Sequence, residues 1–290
     1  MAAFARSRHG AGRRWALPML LLPSLLFLLG AARWQAHSRA FALPGSRVAR
    51  AAAAAQVSGD WGRSATADEL TQALPVLHVY DHCPFCVRVR MIFGLKGLPY
   101  RLSFLMNDDV VTPTKLIGKK VLPVLEQGSE AMGESLDIVK KVDEADGPVL
   151  KPSVDRQDIA AWQNANAMVI RKLTRPRVAD AFLPEFATKA ARATWIRNHQ
   201  FSDGTEFRAC MEASPELIKE LTAELPKLDA MLDSETSVNL GGVSYDDITL
   251  FPALRTLTLV KGLQWPEKLG RYIAHMAEVC DIDLYDKQAC

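Results

Sequence analysis

The chain has 290 residues, more than one average domain and fewer than three, so we expect two domains and an extension. Apolar residues make up 49% of it and charged residues 23%, a globular composition that excludes wholesale disorder. Its five cysteines are too few, at this length, for a secreted scaffold held together by disulfides.

The charge is distributed unevenly along the chain. The formal net charge is +2, from 35 basic and 33 acidic residues, but residues 1–55 contain eight arginines and no acidic residue. Removing those eight leaves 27 basic residues against 33 acidic ones, so the remainder has a net charge of −6. Such an acidic body predicts no binding of nucleic acid through a basic face.

The first 32 residues have the pattern of a signal peptide. Residues 1–14 are basic, Ala16–Gly30 are mainly apolar, and Ala31 and Ala32 supply small residues. The apolar run has about 15 residues, short of the ~20 that a bilayer requires. We therefore predict a cleavable signal peptide, with a retained membrane anchor at residues 16–32 as the alternative.

Residues 38–55 are rich in Arg, Ala and Ser and lack acidic residues, which is typical of transit peptides. A signal followed by such a segment, with Phe41 near its start, resembles the bipartite plastid leaders of algae with complex plastids. We predict plastid targeting by a leader at residues 1–70, which takes no part in the fold. The alternative is a destination in the secretory pathway.

Residues 75–146 alternate short β-rich runs with helical patterns. Thr112 and Pro113 predict a helix start, with a capping hydroxyl followed by proline at the first helical position. The predicted order βαβαββα indicates an α/β domain of the thioredoxin type. Its elements are Val76–Tyr80, Pro84–Lys96, Tyr100–Leu105, Thr114–Ile117, Val121–Leu125, Glu130–Met132 and Ser135–Glu144.

Residues 152–285 contain almost no strand signals and are predicted to form an all-helical domain. Leucines recur at helical spacing from Leu217 to Leu232 and indicate an amphipathic helix. Ser244 and Asp247 have the spacing of a capping box before the apolar run Ile248–Val260. Another helix is predicted from Trp265 through Cys280.

The chemistry is predicted at Cys83 and Cys86, where the first strand gives way to the first helix. A thiol at a helix N-terminus faces unpaired N–H groups and the positive end of the helix dipole, and both favour the thiolate. The three-residue spacing places Cys86 one turn deeper, within reach of a mixed disulfide on Cys83. Cys83 is thus the candidate nucleophile and Cys86 the candidate resolving thiol.

Two other interpretations of the cysteine pair are weighed against this one. A zinc site generally needs four ligands, and the sequence has no second Cys-x-x-Cys, so we expect no metal. An inert buried pair would not explain Pro84 or the strand–helix junction. A redox dithiol accounts best for all of these features.

Two further features indicate a small anionic, peptide-like ligand. Pro123 cannot donate to a strand ladder, and at the start of a strand, especially in the cis form, it leaves the backbone of Leu122 free to bind a ligand. Glu134 and Ser135 lie at a helix N-terminus, where N–H groups and a hydroxyl can hold a carboxylate. The alternative for Ser135 is an ordinary helix cap.

Several segments resemble the large bacterial glutaredoxins of the glutaredoxin 2 type, over residues 75–285. They are Tyr80–Cys86, Arg90–Lys96, Asn107–Asp109, Thr112–Thr114, Glu134–Val139, Ile248–Val260 and Gln264–Pro266.

This resemblance implies a glutathione-transferase architecture with a glutaredoxin active site. Cys83 and Cys86 would form the redox pair, and Leu122, before a cis Pro123, would bind glutathione through its backbone. Glu134 and Ser135 would hold its γ-glutamyl end. Phe85 departs from the more common tyrosine, keeping the ring and losing a hydroxyl.

The predicted function is therefore glutathione-dependent thiol–disulfide exchange on disulfides or glutathionylated proteins, with glutathione as reductant, by a monomer. One alternative is a glutathione transferase or dehydroascorbate reductase, although such chemistry needs no second thiol at Cys86. Another is a non-catalytic glutathione-binding or membrane-inserting module. Iron–sulfur binding is disfavoured because Pro84 rigidifies the loop around Cys83.

Overall fold

The structure, a computed structural model, describes residues 73–290, which belong to one compact unit. The predicted leader at residues 1–70 lies outside the described residues. Within them, the predicted order βαβαββα is confirmed. The elements are β1 (Val76–Val79), α1 (Pro84–Leu95), β2 (Arg101–Phe104), α2 (Val111–Ile117), β3 (Val124–Gln127), β4 (Glu130–Met132) and α3 (Ser135–Glu144).

The four strands form one mixed sheet in the order β2-β1-β3-β4. β1 is parallel to β2 and antiparallel to β3, and β3 is antiparallel to β4. The register pairs His78 with Val124 and Leu125 with Met132. The C-terminal end of β1, the N-terminal end of β3 and the C-terminal end of β4 therefore meet at one edge of the sheet.

The helical prediction for the rest of the chain is also confirmed. The α-helices are α4 (Gln157–Asp180), α5 (Lys189–Asn198), α6 (Phe207–Glu212), α7 (Ser214–Met231), α8 (Tyr245–Leu257) and α9 (Glu267–Val279), with short 3₁₀ turns at Pro184–Phe186 and Asp286–Gln288. The predicted capping box is present, because Ser244 and Asp247 satisfy each other's backbone N–H groups at the start of α8.

Two predicted boundaries are wrong for identifiable reasons. α2 begins at Val111 and not at Thr114, because the Asp109 carboxylate accepts hydrogen bonds from the N–H groups of Val111 and Thr112. β3 begins at Val124 and not at Val121, because the preceding Leu122–Pro123 peptide bond is cis and proline has no N–H for the ladder.

The sheet and the helices share one hydrophobic core. Leu77 and Val79 of β1 lie in the same buried cluster as Leu221 of α7 and Phe251 of α8. α1 packs against both α3 and α8 and thus forms the contact between the two parts. Among residues 73–290, no helix is both long enough and apolar enough to cross a membrane.

At Gly94, α1 approaches the helical part closely. A Cβ at this position would overlap the backbone carbonyl of Cys280, at the end of α9. We expect Gly94→Ala to lower the free energy of unfolding by about 1–3 kcal/mol, because backbone atoms must move to make room. Gly270→Ala is the matched control. Its Cβ would meet the Trp265 side chain at an ordinary 3.7 Å, and the helix should gain up to about 1 kcal/mol. Urea unfolding of both variants measures the difference, and equal effects would contradict the steric interpretation.

Candidate active site

The sheet edge and the start of α1 place Cys83 at a helix N-terminus. Cys83 is the residue before the first helical position, with an extended backbone (φ −70°, ψ 119°), and Pro84 occupies that position. The carbonyl of Cys83 accepts the N–H of Val87 at 3.0 Å and so starts the helix. The missing N–H of Pro84 costs nothing here, because the first helical N–H groups have no partner within the helix.

The two thiols have opposite electrostatic environments. The pKa of Cys83 is lowered to about 7, chiefly because the Cys86 thiol donates a hydrogen bond to it, against the opposing effect of burial. The electrostatic effect of His82 and the backbone N–H groups of Cys86 and Phe85 lower it as well. Cys86 is 0% exposed, and burial raises its pKa well above the ordinary value. Cys83 thus ionises near neutrality, while Cys86 stays protonated and donates.

The alkylation of Cys83 should follow this ionisation. We expect the rate constant for iodoacetamide to rise with a midpoint near pH 7, since the thiolate is present above that pH and lost below it. Cys86→Ala should move the midpoint up toward ~8.5, the ordinary value, because the donating thiol is removed. Mass spectrometry separates Cys83 from the exposed Cys290. A wild-type midpoint at or above ~8.5 would contradict this assignment.

Leu122 lies just before β3, next to Pro123. The Leu122–Pro123 bond is cis, and Leu122 makes no backbone hydrogen bond with the rest of the described chain. Because β1 and β3 are antiparallel with His78 opposite Val124, Leu122 and Pro123 lie beside the end of β1 that leads to Cys83.

Glu134 and Ser135 lie at the same edge, where β4 leads into α3. Ser135 is the first residue of α3, so the cap position belongs to Glu134, whose φ is +64°. The Ser135 hydroxyl has no hydrogen-bond partner within residues 73–290. The side chain of Glu134 contacts Lys119 at 2.7 Å. The start of α3 therefore offers N–H groups and a hydroxyl that suit a carboxylate.

The structure brings all six predicted site residues to one edge of the sheet. Phe85, beside the cysteines, is 50% exposed, and the Arg88 guanidinium lies 4.9 Å from its ring centroid. No cluster of three or more potential metal ligands occurs in the described part of the chain.

The sequence analysis missed an ion network around Asp81, two residues before Cys83. The Asp81 carboxylate contacts Arg90 at 2.6 Å, Arg255 of α8 at 3.0 Å and the Tyr285 hydroxyl at 2.8 Å. Burial would raise the pKa of Asp81, but the charges of Arg255 and Arg90 and the hydrogen bond from Tyr285 outweigh it and lower the pKa to about 2. The sequence signal for this network is Arg255 itself, a lone charge in the apolar run Ile248–Val260.

A second set of contacts surrounds His82, also missed from sequence. Its Nδ1 lies 2.5 Å from Oε1 of Glu185, and its Nε2 accepts a hydrogen bond from the Trp195 indole at 2.8 Å. Glu185 belongs to the 3₁₀ turn Pro184–Phe186 and Trp195 to α5. The helical part of the chain therefore holds the residue directly before Cys83.

Two family descriptions match the chain. Residues 158–289 match the family described as Glutaredoxin 2, C terminal domain, and residues 77–150 match the family described as Glutathione S-transferase, N-terminal domain.

Known relatives cover the same region. Glutaredoxin 2 of Escherichia coli strain K12 is 41% identical over 214 residues, which are 73% of this chain and 99% of that protein. The crystal structure of glutaredoxin 2 from Salmonella typhimurium, in complex with glutathione, matches with a TM-score of 0.71 at 42% identity, over 74% of this chain and 99% of that one. A glutathione transferase from Phanerochaete chrysosporium shares the fold at 17% identity, with a TM-score of 0.55 and coverage of 73% and 99%.

Proposed function

Since this chain belongs to the glutaredoxin 2 family and is a glutathione-dependent oxidoreductase, we propose that Cys83 is its nucleophile and Cys86 its resolving thiol. The observation that carries this proposal is the pairing of a partly exposed Cys83, with its pKa lowered to about 7, and a buried Cys86 that stays protonated beside it.

The exchange proceeds in two thiol–disulfide steps. The Cys83 thiolate attacks one sulfur of the substrate disulfide, forms a mixed disulfide and releases the other sulfur as a thiolate, which takes up a proton. Cys86 then loses its proton and attacks the Cys83 sulfur, which releases the reduced substrate and leaves a Cys83–Cys86 disulfide. Two molecules of glutathione reduce this disulfide and become glutathione disulfide. For a glutathionylated protein, glutathione itself can attack the first mixed disulfide.

We propose that glutathione binds along the sheet edge in an extended form. The backbone of Leu122, which has no hydrogen-bond partner in the described chain, would pair with its peptide groups. The N-terminus of α3, with the unpartnered hydroxyl of Ser135 beside Glu134, would take the γ-glutamyl carboxylate.

Ser135→Ala is expected to raise the KM for glutathione about tenfold with little change in kcat, because one hydrogen bond to a charged group is lost, worth about 1.5 kcal/mol. Steady-state reduction of a glutathione mixed disulfide measures both constants. Ser202→Ala, on an exposed turn of the helical part, is the matched control and should leave both unchanged. An unchanged KM in Ser135→Ala would remove Ser135 from the glutathione site.

The proposed substrates are glutathionylated or disulfide-containing proteins, and the active form is proposed to be a monomer with domains at residues 75–146 and 152–285. The half-exposed Phe85 beside Cys83 supports access for a large substrate.

The buried thiol of Cys86, next to Cys83, favours disulfide reduction over glutathione conjugation. Conjugation does not need a second thiol. Assays of the wild-type protein with a glutathione mixed disulfide and with a chlorinated nitrobenzene separate the two activities. We expect turnover of the first only. Conjugation without disulfide reduction would favour the transferase alternative.

Plastid import by residues 1–70 is proposed from their composition alone. A fluorescent reporter fused behind these residues tests it: fluorescence in the plastid supports the proposal, and fluorescence in the secretory pathway overturns it.

A further inference from the structure

Arg88 lies about one helical turn after Phe85 in α1. Side chains three residues apart on a helix are neighbours, and long side chains lean toward the helix N-terminus. The Arg88 guanidinium accordingly lies over the ring of Phe85, 4.9 Å from its centroid. This direction carries its positive charge toward the end of α1 that holds Cys83.

The guanidinium has no acidic partner in the part of the chain that the structure describes. Its Nε is buried and lacks a hydrogen-bond partner there, which is unfavourable for a donor. Two other cations of the same domain differ in this respect, because Arg90 pairs with Asp81 at 2.6 Å and Lys119 with Glu134 at 2.7 Å. Arg88 as a whole is only partly buried, so an incoming carboxylate can reach it.

Arg88 lies close enough to Cys83 for their charges to interact. Burial lowers the pKa of Arg88, and the negative charge of the Cys83 thiolate opposes that effect. Phe85, which carries the guanidinium on its ring, is itself 50% exposed beside Cys83. A disulfide substrate that approaches Cys83 past this ring therefore brings the residues next to its own cysteine close to Arg88.

We infer that Arg88 is a specificity residue that favours disulfide substrates with an acidic residue near the target cysteine. The planar guanidinium offers paired N–H groups that match a carboxylate, and the Phe85 ring holds it in place by a cation–π contact. An extended chain advances about 3.3–3.6 Å per residue, so a carboxylate a few residues from the cysteine stays close to the reacting sulfur. The inference rests on the proposed role of Cys83 as nucleophile.

Three peptides test this inference. They are identical except for the residues two positions before and after their single cysteine, which are both Glu, both Gln or both Lys. The cysteine is joined by a disulfide to 2-mercaptoethanol, which has no carboxylate of its own. The reduced full-length protein is mixed with each peptide in the absence of glutathione. Attack by Cys83 and then by Cys86 forms the protein disulfide and releases two thiols, the peptide and 2-mercaptoethanol. Acid quenching and mass spectrometry measure the rate.

The ratio of the Glu-peptide rate to the Gln-peptide rate is the decisive quantity. We expect this ratio to be about threefold higher in the wild-type protein than in Arg88→Gln, the size of effect that an exposed ion pair gives. The Lys peptide should show the opposite change. Arg88→Lys should keep part of the preference, because the positive charge remains. About 1 M salt should abolish the preference in the wild type, since exposed charges are then screened.

Arg208→Gln is the matched control, because it removes the same charge from an exposed pair with Glu212 on α6 and should keep the wild-type ratio. An equal ratio in the wild type and Arg88→Gln would overturn the inference. This includes equal slowing of all three peptides, which would mean that Arg88 acts only on the Cys83 thiolate. A higher KM for glutathione with an unchanged ratio would assign Arg88 to glutathione and would also overturn it.

Failure of the proposed nucleophile would look different. Reaction of the peptides with Cys83→Ser at the wild-type rate would contradict the role of Cys83, and the inference about Arg88 would fail with it. A reaction that requires Cys83 but does not depend on the charge of the peptide would overturn the inference about Arg88 alone.

Discussion

Cys83→Ser is expected to lower the reduction of both disulfides and glutathione mixed disulfides by about 10⁴-fold or more, because a serine hydroxyl stays protonated and cannot form the mixed disulfide. Cys86→Ser should act differently. It keeps a hydroxyl that can donate to the Cys83 thiolate, and glutathione can resolve the intermediate, so roughly a tenth or more of the activity on glutathione mixed disulfides should remain.

Assays with a glutathionylated peptide and with a protein disulfide measure this contrast. In Cys86→Ser, mass spectrometry should find glutathione attached to Cys83. Full activity of Cys83→Ser would show that the nucleophile lies elsewhere in the chain. Cys290→Ser is the control, since its thiol is exposed and far along the sequence from α1, and it should behave as wild type.

Arg255→Met is expected to lower the free energy of unfolding by about 3–5 kcal/mol, because it removes the buried guanidinium that pairs with the partly buried Asp81 carboxylate. Arg255 is 2% exposed and also donates to the carbonyl of Asp81 at 2.7 Å and to the carbonyl of Asp283 at 2.8 Å. These contacts join the segment before Cys83 to α8 and to the residues after α9.

Chemical denaturation at pH 7 measures this loss, and Arg208→Met is the matched control. Arg208 pairs with Glu212 on an exposed helix surface, and its removal should change stability by less than about 0.5 kcal/mol. In Asp81→Asn/Arg255→Met the loss should be smaller than the sum of the two single losses, because the variants share one interaction. Equal losses in Arg255→Met and Arg208→Met would show that the network adds no stability.

The Asp81 network also gives stability a defined dependence on pH. The pKa of the Asp81 carboxyl, about 2, lies below its ordinary value. The carboxylate therefore stabilises the fold above about pH 4, and this stabilisation is lost as the pH falls toward 2. Asp81→Asn should lack this part of the acid transition.

The sequence determined the features that depend on neighbouring residues. A β-rich run followed by Cys83 and Pro84 already implied a thiol at a helix N-terminus, and the spacing of Ser244 and Asp247 implied the capping box of α8. Hydrophobic periodicity likewise gave the order of the sheet and helix elements, because it reflects which face of each element is buried. The boundary of α2 was misplaced because the Asp109 side chain, and not Thr112, caps it.

Only the tertiary structure decided what surrounds the nucleophile. Glu185, Trp195 and Arg255 lie more than 100 residues from His82 and Asp81, and no local pattern relates such distant positions. Their contacts arise because the shared core packs α1 against α8, and because a second buried cluster, which contains Phe186 and Trp195, holds the 3₁₀ turn against α5. The position of Cys83 at the start of α1 is therefore a local property of the chain. The charges and hydrogen bonds around the preceding residues, Asp81 and His82, are set by packing between distant segments.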